Sequence, residues 1–144
     1  MIRALESRDI EWVLAIQAVC PEIAQWTMWD YDRVARGEMA GWVAEENGEV
    51  IGFLVGRRVT SDLEILNFAV RADDRRRGIG AELLRAALDW AHAFQAAHAI
   101  LEVRASNLAA LHFYERHRFE VVGRRARYYT APTEDALLLT ATLG

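Results

Sequence analysis

Asn67-Phe68-Ala69-Val70, followed shortly by Arg75-Arg76-Arg77-Gly78-Ile79-Gly80-Ala81, is the stretch that decides the fold. The β-formers of 63–70 predict a strand ending at Val70. From Gly78 to about residue 97, Leu83, Leu84, Ala87, Leu88 and Ala91 fall on one helical face. A strand therefore feeds a long helix through an arginine- and glycine-rich loop. A helix start carries free backbone N–H groups and a partial positive charge, so it attracts phosphate. Glycine at 78 and 80 lets a ligand approach the backbone with no Cβ in the way, and the arginines add charge. This chemistry suits a pyrophosphate, although an arginine run is also commonly a solvated face. The Rossmann and P-loop patterns fit worse. Leu83 stands where a third glycine is required, and no Gly-Lys-Ser/Thr follows.

Downstream, the short apolar run 99–103 reads as a buried strand. Residues 107–117 read as a helix weighted by Leu108, Leu111, Phe113 and Tyr114, and 119–123 and 136–143 as closing strands. Upstream, Asn47-Gly48 between 42–46 and 50–59 predicts a hairpin with a two-residue type I′ turn, and 63–70 extends it to a meander. The chain opens with a short edge strand at 2–5. Ser7 is positioned to cap a helix with Ile10, Val13, Leu14 and Ile16 on one face; 21–26 is a loop, and Thr27 caps a second helix to about Arg36. The sum is an α/β (α+β) fold: a mixed, mostly antiparallel central sheet of about seven strands with four helices, because a strand–helix–strand crossover sits inside a meander.

A chain of 144 residues with 53% apolar and 26% charged residues fits one globular domain spanning 1–144. The uncharged stretches are too short to span a bilayer, and the N-terminus lacks the layout of a signal peptide. A cytoplasmic setting is expected, with no membrane partner. The net charge of −4 argues against direct nucleic-acid binding. All 17 basic residues are arginine, so the chain has no side-chain amine of its own to acylate. Cys20 is alone, and His92, His98, His112 and His117 show no metal spacing, so no metal is expected.

The run Arg75-x-x-Gly78-x-Gly80 after a strand resembles the acetyl-CoA signature of the GNAT acetyltransferase superfamily, whose element order is the one read above. A more specific likeness lies in Leu101-Glu102-Val103-Arg104-Ala105-Ser106-Asn107, Phe113-Tyr114-Glu115, Phe119, Arg125, Tyr128-Tyr129 and Glu134-Asp135-Ala136-Leu137. These resemble the ribosomal-protein-alanine N-acetyltransferases of the RimI type. The likeness is strongest from Leu66 to Leu138. It implies that acetyl-CoA is the co-substrate. Phe68, Ala69 and Val70 would pair their backbone with the pantetheine arm. The pyrophosphate would rest on the N–H groups of Arg76, Arg77, Gly78, Ile79, Gly80 and Ala81, with Arg75 in the same signature. Asn107 would contact the coenzyme, Glu102 would act as general base and Tyr114 as general acid. Glu64, six residues before Val70, is the rival base, as in other branches of the superfamily. The partners implied are acetyl-CoA and a protein N-terminus or peptide, a ribosomal protein among them, with the enzyme a monomer or weak homodimer.

The chemistry of these residue types agrees. Direct transfer needs a neutral amine, a polarised thioester carbonyl and a proton for the leaving thiolate. A backbone N–H near Val70 serves the second need. Tyr114 serves the third, since a phenol stays protonated at neutral pH. Asn107 and Tyr114 are two helical turns apart, on one face. Glu102 serves the first through water. An α-amine of pKa ~7.8 is already roughly 10–15% neutral at pH 7, against about 0.04% for a lysine, so an N-terminal acceptor asks little of its base. Each side chain also has a plain structural role open to it: Tyr114 as core, Glu102 paired with Arg104 or Arg125, Tyr128 and Tyr129 as strand packing or acceptor lining.

Three features depart from the RimI pattern. Arg118 stands before Phe119 where glycine is usual; positive φ costs a non-glycine residue on the order of 1 kcal/mol, so a different turn is expected here. Arg71-Ala72 replaces Asp-Pro, and Thr130-Ala131 intervene before Pro132. Two rival functions remain open at this point: acetylation of a small-molecule amine, and a catalytically silent acetyl-CoA-binding module.

Overall fold

A computed structural model describes residues 1–130 and 132–144. The strands are β1 (Ile2–Ala4), β2 (Ala40–Glu46), β3 (Glu49–Val59), β4 (Asp62–Val70), β5 (His98–Arg104), β6 (Glu120–Thr130) and β7 (Thr133–Thr142). The helices are α1 (Ile10–Ala18), α2 (Met28–Ala35), α3 (Ile79–Ala93) and α4 (Leu108–Arg116). They form the mixed, mostly antiparallel sheet expected, in the order β1-β2-β3-β4-β5-β7-β6. Its one parallel contact joins β4 to β5 across the α3 crossover.

Local chemistry accounts for most boundaries. Asn47 and Gly48 both take positive φ (52° and 79°), as a type I′ turn demands. Thr27 caps α2 with a reciprocal box: Asp30 N–H donates to Thr27 Oγ1 at 3.3 Å, and Thr27 N–H to Asp30 Oδ2 at 2.8 Å. Ser7 does not cap α1. It opens a 3₁₀ turn that leads into α1 and is boxed by Glu6 and Asp9, with Asp9 accepting Glu6 N–H at 2.8 Å, while α1 itself has no side-chain cap. The long helix stops at Ala93, not near 97. Gln95 turns left-handed (φ 61°), and Ala96 N–H closes back onto Ala91 C=O at 3.0 Å. The same closure ends α4. Contrary to the different turn that arginine suggests here, Arg118 takes positive φ (69°), and Phe119 N–H reaches Tyr114 C=O at 3.0 Å. The closing hairpin is longer than 119–123 predicts, because β6 runs on to Thr130 with an irregular register between Arg125 and Tyr129.

Two apolar layers cover the sheet. Leu83, Leu84, Ala87 and Ala91 of α3 pack with Leu111 and Tyr114 of α4 on one face. Val13 and Ile16 of α1 pack with Tyr31 and Val34 of α2 against Val43, Phe53 and Val55 on the other. Fully burying one such aliphatic side chain contributes about 1.5–3 kcal/mol.

Candidate active site

The site begins as an interruption of the sheet. β4 and β5 pair only at Leu63↔Ala99 and Glu64↔Ile100, after which the ladder stops. The cause lies one strand away. On β3, Val55 pairs with Asn67 while Gly56 pairs with Ile65, so Leu66 is an extra residue in β4. Such a bulge bends its strand and re-aims the side chains beyond it. Leu63 and Ile65 enter the α3–α4 core before the bulge, and Phe68 and Val70 pack there after it. Arg71 N–H donates to Ile51 C=O at 2.7 Å, so by alternation the backbone groups of Phe68 and Val70 face away from β3, into the gap.

Two grooves meet at this gap. One, about 670 Å³, runs from Phe68 and Val70 past Arg76, Gly78 and Gly80 to His112 on α4. The other, about 900 Å³, lies between the splayed strands and is lined by Glu64, Leu66, Glu102, Arg104 and Tyr129. Phe68, Asn107 and Tyr114 border both, as does Ile23 from the loop between α1 and α2.

The first groove is built for an elongated anionic ligand. Arg76 (φ 65°) and Gly78 (φ 82°) are left-handed, a backbone path that turns successive N–H groups to one side. Gly78 caps α3 without any side-chain acceptor, so the first-turn amides keep their hydrogen-bonding capacity for a ligand. A Cβ on Gly80 would stand 3.3 Å from Phe113, so glycine here lets α3 and α4 approach. Arg75 Nε donates to Val70 C=O at 3.1 Å, bracing the loop against the strand end. Asn107 Oδ1 caps α4 by accepting Ala110 N–H at 3.2 Å, which fixes its amide at the groove edge.

The junction holds side chains able to take part in proton transfer. Tyr114 is buried at 7% exposure among Phe68, Phe113 and Phe119, with ring centroids 5.2–6.2 Å away. Burial pushes its phenol well above the ordinary value, so it holds its proton. Its hydroxyl makes no hydrogen bond to a described residue and opens to the grooves. Across the second groove, Glu64 and Glu102 lie on the same sheet face, since Glu64 is in register with Ile100 and Glu102 follows two residues on. Each is engaged by an arginine: Glu64 by Arg57 at 2.8 Å, Glu102 by Arg125 at 3.2 Å.

The arrangement can hold an elongated anionic ligand at the α3 start and bring its far end to a second substrate between the strands. The sequence profile of the acetyltransferase (GNAT) family matches residues 5–119. The chain belongs to the GNAT family. Its activity is that of an acetyl-CoA-dependent N-acetyltransferase. Among its relatives, the putative [ribosomal protein bS18]-alanine N-acetyltransferase of Bacillus subtilis (strain 168) is 30% identical over 145 residues, covering 99% of this chain and 95% of that protein. An N-alpha-acetyltransferase of Sulfurisphaera tokodaii is 34% identical over 119 residues, covering 74% of this chain and 71% of its own length. The crystal structure of the ribosomal-protein-S18-alanine N-acetyltransferase of Escherichia coli superposes with a TM-score of 0.87 at 28% identity, covering 100% of this chain and 94% of that one.

Within this GNAT fold the sequence-derived residues do not all converge. Phe68, Ala69, Val70, Arg75, Arg76, Gly78, Ile79, Gly80, Ala81 and Asn107 line the first groove. Arg77 does not. Its guanidinium turns to Asp74 at 2.7 Å and Glu46 at 2.8 Å, tying the loop to β2. The arginine run is thus split between bracing, groove and scaffold. Of the two partners open to Glu102, Arg125 takes it, while Arg104 pairs with Glu134 at 3.3 Å and stacks 4.2 Å over Tyr129. Sequence reasoning reads 21–26 as a loop but gives it no part in the site, whereas its Glu22 and Ile23 wall both grooves. Its only signal was Ile23 and Trp26, apolar residues in a non-periodic stretch. Among the described residues no cluster of three or more His, Cys, Asp or Glu side chains converges on a metal site, and no helix is long and apolar enough to cross a membrane.

Proposed function

We propose that this chain, acting as one domain over residues 1–144, acetylates the N-terminal α-amino group of a protein, with the terminal alanine of a ribosomal protein as its target. Acetyl-CoA supplies the acetyl group. Phe68 and Val70 offer backbone groups to the pantetheine arm, with Ala69, whose own backbone faces β3, between them; the amides of 76–81 receive the pyrophosphate, and Asn107 holds the coenzyme at the α4 start. The Val70 N–H polarises the thioester carbonyl. Tyr114 donates its hydroxyl proton to the departing thiolate. Glu102, through water, takes the proton of the ammonium, with Glu64 as the rival acceptor.

The observation that carries this reading is the Tyr114 hydroxyl, without a hydrogen-bond partner among the described residues, at the place where the two grooves meet. The second groove is open, so an extended chain fits it better than an enclosed small amine. The kinship with proteins named for alanine and N-alpha acetylation supports the same acceptor. A cytoplasmic monomer or weak homodimer suits such a task.

The test is acetyl-CoA turnover, followed by thiol release, on a panel of peptides and polyamines. Turnover on peptides beginning with alanine is expected. Activity confined to polyamines, or coenzyme binding without any thiol release, would overturn the reading.

A further inference from the structure

The loop between α1 and α2 walls both grooves without regular secondary structure. Three buried polar side chains hold it from behind. Tyr31 is fully buried, and Gln17 and Asn67 are 6% and 4% exposed. The Tyr31 hydroxyl donates to Gln17 Oε1. Asn67 Nδ2 donates to that hydroxyl and to Ala24 C=O, both at 3.0 Å. Gln17 Nε2 donates to Trp26 C=O at 2.8 Å, and Gln17 Oε1 accepts Trp26 N–H at 3.1 Å. Asn67 Oδ1 accepts Phe68 N–H at 3.2 Å.

The loop is therefore clipped at 24 to Asn67 and at 26 to Gln17, and Asn67 sits where the bulge turns β4 away from β5. Apolar side chains of equal volume would fill the same space, but they would not dictate the path of the loop backbone. A fully satisfied polar network does dictate it, because any shift leaves a buried group unpaired. Gln17 and Tyr31 line neither groove, so their influence on a bound molecule passes through the loop.

We infer that Gln17, Tyr31 and Asn67 are positioning residues for the acceptor: they set the distance between the 21–26 wall and Phe68, and so the width of the cleft where the amine meets Tyr114. The inference rests on the proposed function, since it takes that cleft as the acceptor's. The trio acts on acceptor capture more than on coenzyme binding. The loop gives the second groove five residues, from Pro21 to Gln25, but the first groove three, Cys20, Glu22 and Ile23.

Tyr31→Phe removes one hydroxyl from the network. Gln17→Met keeps the length of the side chain and removes its amide. In each variant the KM for an alanine-initiated peptide should rise about tenfold. The Kd for acetyl-CoA, by calorimetry, should stay within about twofold. Amide hydrogen exchange across 21–26 should accelerate. A role limited to stability would lower Tm and leave the peptide KM in place. An unchanged peptide KM in both variants, with wild-type peptide turnover intact, overturns the positioning role alone. Failure of the wild type to turn over any peptide overturns the functional reading and this inference with it.

Discussion

Arg125 Nε lies 3.2 Å from Glu102 Oε1, and the pair spans β7, the strand that separates β5 from β6. Arg125 is more than half exposed, so the attraction is worth about 1 kcal/mol or less, and its effect is to orient the carboxylate. Arg125→Gln should lower kcat/KM by only about 2- to 5-fold. Glu102→Gln should lower it by about 100-fold or more. Side-by-side kinetics with Glu64→Gln decide the assignment. A larger loss in the Glu64 variant moves the base to β4.

Tyr114→Phe should cut kcat by about 100-fold while sparing acetyl-CoA affinity, because the ring and its aromatic neighbours remain. Burial raises the phenol's pKa, so the proton stays on as pH rises past the ordinary tyrosine value of about 10. The rate should therefore climb with pH as the acceptor amine deprotonates and then level off. A fall in rate centred below about pH 10, absent from the Phe variant, would assign the alkaline loss to Tyr114 and contradict its elevated pKa.

Coenzyme affinity should respond unequally at the two loop glycines. A Cβ at Gly80 meets Phe113 at 3.3 Å and Phe68 at 3.5 Å, contacts that small shifts absorb, so Gly80→Ala should change the acetyl-CoA Kd by about twofold or less. Gly80→Val should raise it about tenfold by driving α4 away. Gly78→Ala meets no atom within 4 Å, but φ is +82°, so it should cost about 1 kcal/mol of fold stability. Calorimetry and thermal denaturation separate the two effects.

Arg3 grips Asp9 with two hydrogen bonds of 2.8 Å. Burial works to raise the Asp9 pKa, but the Arg3 hydrogen bonds and the Glu6 N–H outweigh it and hold the carboxyl below its usual range. The folded value is depressed, so this contribution is complete above the unfolded value of about 3.9 and is lost as pH falls through the folded one. Asp9→Asn should cost about 3 kcal/mol at pH 7 and flatten the acid limb below about pH 4. Urea titrations at pH 7 and pH 3 measure both. An equal loss at the two pH values would show that the charge of Asp9 is not the source.

Much of the fold was legible because short-range rules decide it. Asn47-Gly48, the Thr27 box and the α3 stripe each specify their own element. Ser7 does not cap α1 because it lies inside a 3₁₀ turn over 7–9 that precedes the helix, a turn whose Asp9 is held by Arg3 from β1. The α3 end ran long in the reading because Ala96 and Ala97 favour helix, whereas closure at Gln95 is set by β5 starting at His98. At the site, glycine and arginine marked the coenzyme loop, yet the partition of the three arginines depends on Glu46 and Asp74, one of them distant in sequence. The bulge at Leu66 has no local signature. It arises where β3 and β4 disagree by one residue, and it is what opens the cleft.

That opening has a mechanical side. Among the described residues only two ladder pairs join β4 to β5, and the α3–α4 core spans the rest of the seam, so the sheet resembles a clasp whose jaws share a short hinge. Whatever lies along the exposed edge of β4 bridges the jaws and takes the place of rungs the polypeptide omits. The resistance of this protein to heat or tension thus becomes a gauge of how much coenzyme surrounds it.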